Sequence, residues 1–374
     1  MPKIKGQVDY ILIFILVALI LFGILILSAA SSPFSLKKTG NPNYFLFRQL
    51  TYGLIPGLIL GFLAFKIPLK KIKRWSFVLL LINILILAFV FLPKIGLGLR
   101  GASRWINLGL FSFQPSEFLK ISSIIYFAAW LSRRKNNISK VSYKHKKDNE
   151  RNINFFAFLV IIGLIGLLLV FQPDISTLGI IVLVAIAMYF LADTPLWYTI
   201  LIILIGFLLL GFLIYLAPYR MARLLVFLNP ETDPIGIGYQ IKQAQIAIGS
   251  GGIFGLGLGM SSQKFGFLPQ SMSDSIFAIF SEETGFVGSF ILLSLFLLFA
   301  FRGFRIAKKS QDKFLKLLSF GVTFWITIQA FVDIGSMIGI LPLTGIPLPF
   351  ISYGGSALVS ELIGVGLLLN ISRF

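Results

Sequence analysis

The 374-residue sequence predicts an all-α integral membrane protein, and three observations support that prediction. Hydrophobic residues make up 57% of the chain, charged residues make up 13%, and the mean hydropathy is +0.92. Soluble domains are about 25% charged, and disordered chains lack such apolar content. The apolar runs are continuous and about 18–25 residues long, which is typical of a membrane-spanning helix and not of an alternating barrel strand.

About ten apolar segments are long enough to span a bilayer, so we expect one polytopic domain over residues 1–374. The first segment is too long for a signal peptide and has no small-residue cleavage site. The predicted spans are 10–30, 47–65, 75–93, 116–132, 154–171, 175–192, 197–217, 275–300, 316–337 and 353–371.

The basic residues predict the orientation of these helices. Most of the 33 lysines and arginines lie in alternate connections and at the two termini. Because cytoplasmic loops carry the excess of Lys and Arg, both termini are predicted to be cytoplasmic. The connection 133–151 is interpreted as such a topology signal, with binding of anionic membrane lipids as the alternative. A net charge of +19 spread over short loops, without a basic face of interleaved aromatics, argues against nucleic-acid binding.

The acidic residues show the opposite bias, since most of the 14 lie in outer connections or in the membrane near them. Intramembrane ionisable side chains are costly and indicate function by default. The chain has no cysteine, and its one histidine lies in a connection predicted to be cytoplasmic. Thiolate and Ser-His-Asp catalysis are therefore excluded on the outer side, which leaves carboxylates or a metal ion.

The outer connection 218–274, between the seventh and eighth spans, is the longest segment without a clear span. A loop of this length is usually functional. Its glycines between 249 and 259 permit either sharp turns with close backbone approach or small-residue helix packing.

Two further outer segments combine a carboxylate with the start of a helix. In QPSEFLK, Glu117 falls in the first helical turn and Lys120 lies on the same face three residues later. This pair is either a structural ion pair or a functional one. Upstream, Arg104 is either an interfacial anchor or a contact for an anionic headgroup. In FQPD, Asp174 is predicted to cap the following helix, with a functional role as the alternative.

Cations are rare on the outer side, so those in the long connection are candidates for binding an anion. Arg220 and Arg223 are three residues apart and share a helix face, and Lys242 and Lys264 follow. Such fixed cations would stabilise the charge of a pyrophosphate leaving group. Scattered surface charge is the alternative interpretation.

The run LPQSMSDSIFAIFSEETGF carries three acids at the start of an apolar segment. Asp274 is a candidate for catalysis, with helix capping as the alternative, and Ser273 makes its surroundings polar. Glu282 and Glu283 lie two turns deeper. We expect at least one of them to face a polar cavity or a partner.

At these residues the chain resembles the SEDS family (shape, elongation, division and sporulation), ten-span membrane proteins that include FtsW, RodA and SpoVE. The run GLGLGMSSQKFGFLP is more similar to the FtsW and SpoVE branch than to the RodA branch. The resemblance extends, in order, through GASRWI, QPSEFLK, FQPD, FLNPETDPIGIGYQ, IAIGSGGIFGLGLG, LPQSMSDSIFAIFSEETGFVG and LPLTGIPLPFISYGGSA.

The resemblance implies a peptidoglycan glycosyltransferase that polymerises lipid II into β-1,4-linked strands. It implies a site at the outer face of the bacterial cytoplasmic membrane, a role in cell division or elongation, and a class B penicillin-binding protein as partner. The family's essential aspartate maps to Asp274, as the base of an inverting reaction. A divalent cation, Mg²⁺ or Mn²⁺, held by Asp274 stays open, because no ligand cluster demands one. The main alternative is a lipid II flippase, which would need ionisable groups along its whole path.

The remaining candidate residues fall into two sets. The candidate pyrophosphate or headgroup contacts are Arg220, Arg223, Lys242 and Lys264, with Arg104 and Lys120 behind them. The supporting residues are Glu117, Ser273, Glu282 and Glu283. The sequence departs from the family at Asp333, where Asn is more usual, and at Ser275, where the family has an aromatic residue.

Overall fold

The computed structural model describes residues 6–92, 96–99, 102–107, 109, 112–133, 144–192 and 194–374. The chain is mostly helical within these ranges, and α2 continues through a π-helical turn, Leu50–Leu54, into α3. The helices are α1 (Tyr10–Thr39), α2 (Tyr44–Gln49), α3 (Ile55–Lys66), α4 (Leu69–Phe89), α5 (Pro115–Ser132), α6 (Lys144–Phe171), α7 (Ile175–Leu191), α8 (Leu196–Tyr215), α9 (Pro218–Leu228), α10 (Ile237–Ser250), α11 (Ile276–Lys309), α12 (Lys313–Met337) and α13 (Gly355–Ile371).

Every predicted span falls on one of these helices, which confirms a mostly helical chain with several membrane-spanning segments. In the described part of the chain, six helices are long and apolar enough to cross a bilayer: α1, the continuous α2–α3, α4, α8, α11 and α12. The end of α6, together with α7 and α13, provides shorter apolar helices. The total of ten spans and the cytoplasmic termini stay predictions.

A small β-sheet between α4 and α5 corrects the all-α prediction. Strands β1 (Gly96–Leu99), β2 (Ala102–Asn107) and β3 (Ser112–Phe113) form an antiparallel sheet in the order β1-β2-β3. Ile106 of β2 lies opposite Gly96 on one side and Phe113 on the other. Glycine recurs through this stretch, and its low helix propensity leaves the backbone to pair as strands.

The core is built around α12, which packs against α5, α7, α11 and α13. Its Trp325 is fully buried. On the far side of α13, α3 approaches closely because Gly61 lies against Gly366, where an added Cβ would be 2.1 Å from the Gly61 carbonyl oxygen. Small residues at such crossings let two helices in a membrane pack backbone to backbone.

The structure can be compared with the predicted connections 133–151 and 218–274 to different extents. Residues 134–143 lie outside the described residues, and the backbone is helical from Lys144 onward. The segment 218–274 is not a single long loop, because it contains α9 and α10 followed by a turn-rich, glycine-rich stretch. Its outer location stays a prediction.

Candidate functional site

Asp274 lies in a tight turn immediately before α11 begins at Ile276. The backbone N–H groups of Ser273 and Ser275 both donate to the carbonyl of Gln270, at 3.0 and 3.2 Å. Ser275, not Asp274, is the N-cap residue of α11. Asp274 directly precedes this N-cap residue and is partly buried.

Neighbouring elements hold this turn in place. Ser352 Oγ donates to the carbonyl of Ser273 at 2.6 Å and accepts from Leu348 N at 2.8 Å. From α10, Gln240 Nε2 donates to Ser275 Oγ at 2.9 Å. Hydrogen bonds to residues on both sides of Asp274 give its carboxylate a defined position.

The connection between α12 and α13, residues 338–354, forms the wall that Asp274 faces. Gly345 in this wall has φ of 69°, and an added Cβ there would lie 3.4 Å from Asp274 Oδ2. Glycine suits the position because it adopts positive φ without strain and leaves space for the carboxylate. No functional role was predicted for this connection. Its proline and glycine content between two apolar runs indicates irregular structure.

Two arginines belong to the same electrostatic neighbourhood as Asp274. Arg223 on α9 donates from Nη1 to the carbonyl of Leu343 at 3.4 Å, and Arg104 on β2 donates to the carbonyl of Pro173. Burial lowers the pKa of the Arg223 guanidinium from its ordinary value, the charge of Arg104 lowers it further, and the charge of Asp274 raises it. Asp274 can accept a proton, and Arg223, whose charge interacts with those of both Asp274 and Arg104, can bind an anion.

Arg220 and Lys242 are two further candidates in the segment 218–274, and of these Lys242 is exposed and Arg220 is partly buried. Arg220 donates from Nη1 to the carbonyl of Leu213 at 2.7 Å and from Nε to Tyr219 Oη at 2.8 Å. Lys242 is exposed on α10. Both stay predictions as phosphate contacts.

The sequence predicts that Lys264 contacts a pyrophosphate, but the structure places this lysine elsewhere. Its side chain is buried, and Nζ lies 2.9 Å from Glu283 Oε1 and 2.6 Å from the carbonyl oxygen of Gly259. An ammonium group with these partners is not available to a ligand. We correct its role to that of a structural cation.

Glu282 and Glu283 connect the glycine-rich stretch to α11, and their role as supporting site residues stays a prediction. Glu282 Oε1 accepts from Ser262 N at 3.1 Å and from Ser262 Oγ at 3.0 Å, and Glu282 also accepts from Ser261 Oγ. The helix is interrupted at Gly285, with φ of 66° and ψ of −163°. Just before this interruption, the carbonyls of Glu282 and Glu283 accept backbone hydrogen bonds from the same stretch.

Lys120 lies inside the helix bundle, which corrects its prediction as a headgroup contact. Nζ is 2.8 Å from Glu117 Oε2 and 2.8 Å from Gln329 Oε1, and the side chain is buried. Gln329 Nε2 donates in turn to the carbonyl of Pro347 at 2.9 Å. The structure therefore favours the structural ion pair, and the network links it to the wall that contains Gly345.

Asp174 caps α7 as predicted, since Thr177 N donates to its Oδ1 at 3.4 Å. Its other oxygen accepts from Ser116 Oγ at 3.0 Å, which ties the start of α7 to the start of α5.

Two polar side chains of α12 complete the surroundings of the site. Asp333 is 1% exposed and interacts electrostatically with Asp274. Neither Asp333 oxygen has a hydrogen-bond partner among the described residues. Gln329 was not predicted as a site residue. It lies four residues before Asp333, and so on the same helix face, inside an otherwise apolar run.

The residues do not form a complete metal site. Among the described residues, no group of three or more His, Cys, Asp or Glu side chains is arranged to hold a metal ion. Asp274 and Asp333 provide two carboxylates, and we derive no step through a cation.

Comparisons with known proteins agree with these motifs. The profile of the FtsW/RodA/SpoVE family, described as cell cycle proteins, matches residues 10–374. The chain is 39% identical to stage V sporulation protein E of Bacillus subtilis, over 99% of this chain and 98% of that protein. It is 38% identical to a probable peptidoglycan glycosyltransferase FtsW of Trichlorobacter lovleyi, over 99% and 94%.

Solved structures share the fold. A chain in a peptidoglycan synthase complex, reported for the structural coordination of polymerisation and crosslinking, superposes with a TM-score of 0.77 at 25% identity, covering 99% of this chain and 98% of that one. The rod shape determining protein RodA of Thermus thermophilus superposes with a TM-score of 0.69 at 26% identity, covering 98% and 97%. The chain belongs to the FtsW/RodA/SpoVE family of cell cycle proteins.

Proposed function

We propose that the chain is an inverting peptidoglycan glycosyltransferase that polymerises lipid II at the outer face of the bacterial cytoplasmic membrane. The names of its relatives and its structural similarity to a chain of a peptidoglycan synthase complex support this reaction class. The observation that carries the proposal is the partly exposed carboxylate of Asp274, which lies on a turn held by hydrogen bonds and interacts electrostatically with Arg223.

The chemistry follows from the substrate. The donor sugar is α-linked to a lipid pyrophosphate, and the product linkage is β-1,4, so the acceptor hydroxyl attacks the anomeric carbon from the face opposite the leaving group. Asp274 takes the proton of that hydroxyl as the carbon–oxygen bond forms. The bond to the pyrophosphate oxygen breaks, and Arg223 and Arg104 stabilise the charge that develops there. Arg220 and Lys242 contribute at longer range.

The same proposal assigns partners and location. A class B penicillin-binding protein would crosslink the strands, which is consistent with the pairing of polymerisation and crosslinking reported for the neighbouring complex. Apolar side chains exposed along α1, α4 and α8 would contact membrane lipids.

The test is gel-resolved polymerisation of labelled lipid II by the purified chain with its transpeptidase partner. Asp274→Asn and Asp274→Ala should each lower the polymerisation rate by about 10²–10⁴-fold, because the reaction loses its base. Glu231→Gln, at an exposed acid of the same connection, is the matched control and should keep the wild-type rate. Glycan ladders that persist in folded Asp274 variants would remove this residue from catalysis.

The flippase alternative is tested on the same preparations. Lipid II transport across liposomes by a chain that forms no ladders with its active partner would replace the polymerase proposal. Ladders without transport would exclude the flippase.

A further inference from the structure

A cavity of about 700 Å³ lies at the opposite end of α11 from Asp274. Arg302, the first residue of α11 in the cavity lining, lies 26 residues after Ile276, where this helix begins beside Asp274. The start of α1, the end of α11 and the C-terminal residues line the cavity. Gly6 N donates to the carbonyl of Arg373 at 3.0 Å, so the ends of the chain meet at this wall. The cavity is thus separate from the proposed polymerisation site.

The side chains that line the cavity leave it with an excess of positive charge. Arg302, Arg305 and Lys309 come from α11, and Asp9 is the acidic side chain among the lining residues. Asp9 Oδ2 accepts from Arg302 at 2.6 and 3.1 Å, which neutralises that one arginine. Within the described ranges, neither Arg305 nor Lys309 forms an ion pair, and both are exposed.

The position of the cavity indicates which anion it fits. At its mouth, Tyr10 and Ile11 begin α1 and are 68% and 53% exposed, as expected for side chains that face hydrocarbon. Ile306 and Ile371 add buried apolar wall. Charged helix ends beside exposed apolar residues occur at the headgroup level of a bilayer. The predicted side is the cytoplasmic one, where anionic lipids concentrate.

We propose that this cavity binds the phosphate of an anionic phospholipid headgroup through Arg305 and Lys309, with Arg302 held in the wall by Asp9. A phosphate oxygen accepts strong charge-assisted hydrogen bonds from both cations. A volume of about 700 Å³ is within the usual range for a small-ligand site. The lipid would join the first helix, the kinked α11 and the end of the chain.

The test measures how phosphatidylglycerol raises the melting temperature of the full-length protein in neutral detergent. The double variant Arg305→Gln/Lys309→Gln should weaken the apparent Kd roughly 10- to 30-fold, because two cations near the phosphate are lost. The matched control Lys308→Gln/Lys316→Gln removes the same charge from the same region outside the cavity lining, and should change the Kd by less than about 3-fold. If the first double variant fails to fold, the single variants Arg305→Gln and Lys309→Gln carry the same comparison.

Other probes separate the sources of the phosphate. Phosphatidylcholine should give a smaller shift than phosphatidylglycerol, and inorganic phosphate at the same concentration should give little. Equal protection by inorganic phosphate would assign the cavity to a soluble anion and overturn the lipid assignment. Equal loss in the two double variants would show attraction by net charge alone and would also overturn it.

Discussion

Two acidic regions of one chain segment, eight residues apart, behave in opposite ways. Glu282 and Glu283 are each 1% exposed and have dedicated partners, two serines for the first and Lys264 for the second. Asp274 is partly exposed and faces a glycine of a neighbouring connection. All three lie at or near the start of α11. They differ in exposure, because two carboxylates are buried against these partners, whereas the third is partly exposed, where a ligand can reach it.

These acids occupy two different environments. Glu282 and Glu283 are buried carboxylates whose charges are matched by hydrogen bonds or a counter-ion, and they contribute to the fold. Asp274 lies on a turn held by hydrogen bonds to its two neighbours and is partly exposed. Substitutions at the buried acids and their contacts should therefore lower stability, whereas substitutions near Asp274 should lower activity.

The largest stability effect is expected for Glu283→Gln. It leaves the buried ammonium of Lys264 without its counter-charge, which costs about 3–5 kcal/mol of unfolding free energy. Thermal or denaturant unfolding of the purified chain measures the loss. The double variant Lys264→Met/Glu283→Leu should recover most of it, since an apolar pair leaves no unpaired charge. A Glu283→Gln variant as stable as the wild type would show that the buried Lys264 does not need this counter-charge.

Gly285→Ala should follow, at about 3 kcal/mol of unfolding free energy. Its φ of 66° with ψ of −163° suits glycine alone, and an added Cβ would be 2.3 Å from the backbone nitrogen of Gly255. Gly252→Ala is the matched control, because Gly252 also has positive φ but no atom within 4 Å of the added Cβ. It should cost about 1 kcal/mol. Equal losses of unfolding free energy for the two variants would show that the close contact with the glycine-rich stretch does not add to the cost of Gly285→Ala.

Arg223→Gln tests the proposed role of this arginine in polymerisation. It should lower kcat/KM for lipid II polymerisation by about 10- to 100-fold, the value of one or more charge-assisted hydrogen bonds, without lowering the melting temperature. Arg220→Gln, one helical turn away, should cost only a few-fold, because Arg220 donates to Leu213 of α8 and to Tyr219, not to the connection that Asp274 faces. Similar losses for both would mean that neither arginine is specific to the site.

The smallest effect is expected for Lys242→Gln. An exposed lysine acts through long-range attraction, so the polymerisation rate should fall less than about 3-fold at low salt and should match the wild type near 1 M salt. A loss of more than about 10-fold that persists at high salt would instead indicate direct contact with the substrate.

Much of the architecture could be predicted from local sequence. The apolar runs marked the helices, since length and hydropathy decide what can cross a bilayer. The spacing of Glu117 and Lys120 predicted their ion pair, and FQPD predicted the cap at Asp174, because both depend on neighbours within one helical turn. The strands between α4 and α5 escaped prediction, since their stability comes from pairing between strands and not from a local apolar period.

The helical membrane class, the family and the motif that contains Asp274 could all be identified from the amino-acid sequence, because they follow from composition and from residues that are contiguous in the chain. The availability of each charged side chain depends instead on the tertiary structure. Lys264 looks like Arg223 in the sequence, yet Lys264 is buried against Glu283, whereas Arg223 reaches the connection that Asp274 faces. These partners are distant in the chain and are selected by tertiary packing, which local spacing does not encode.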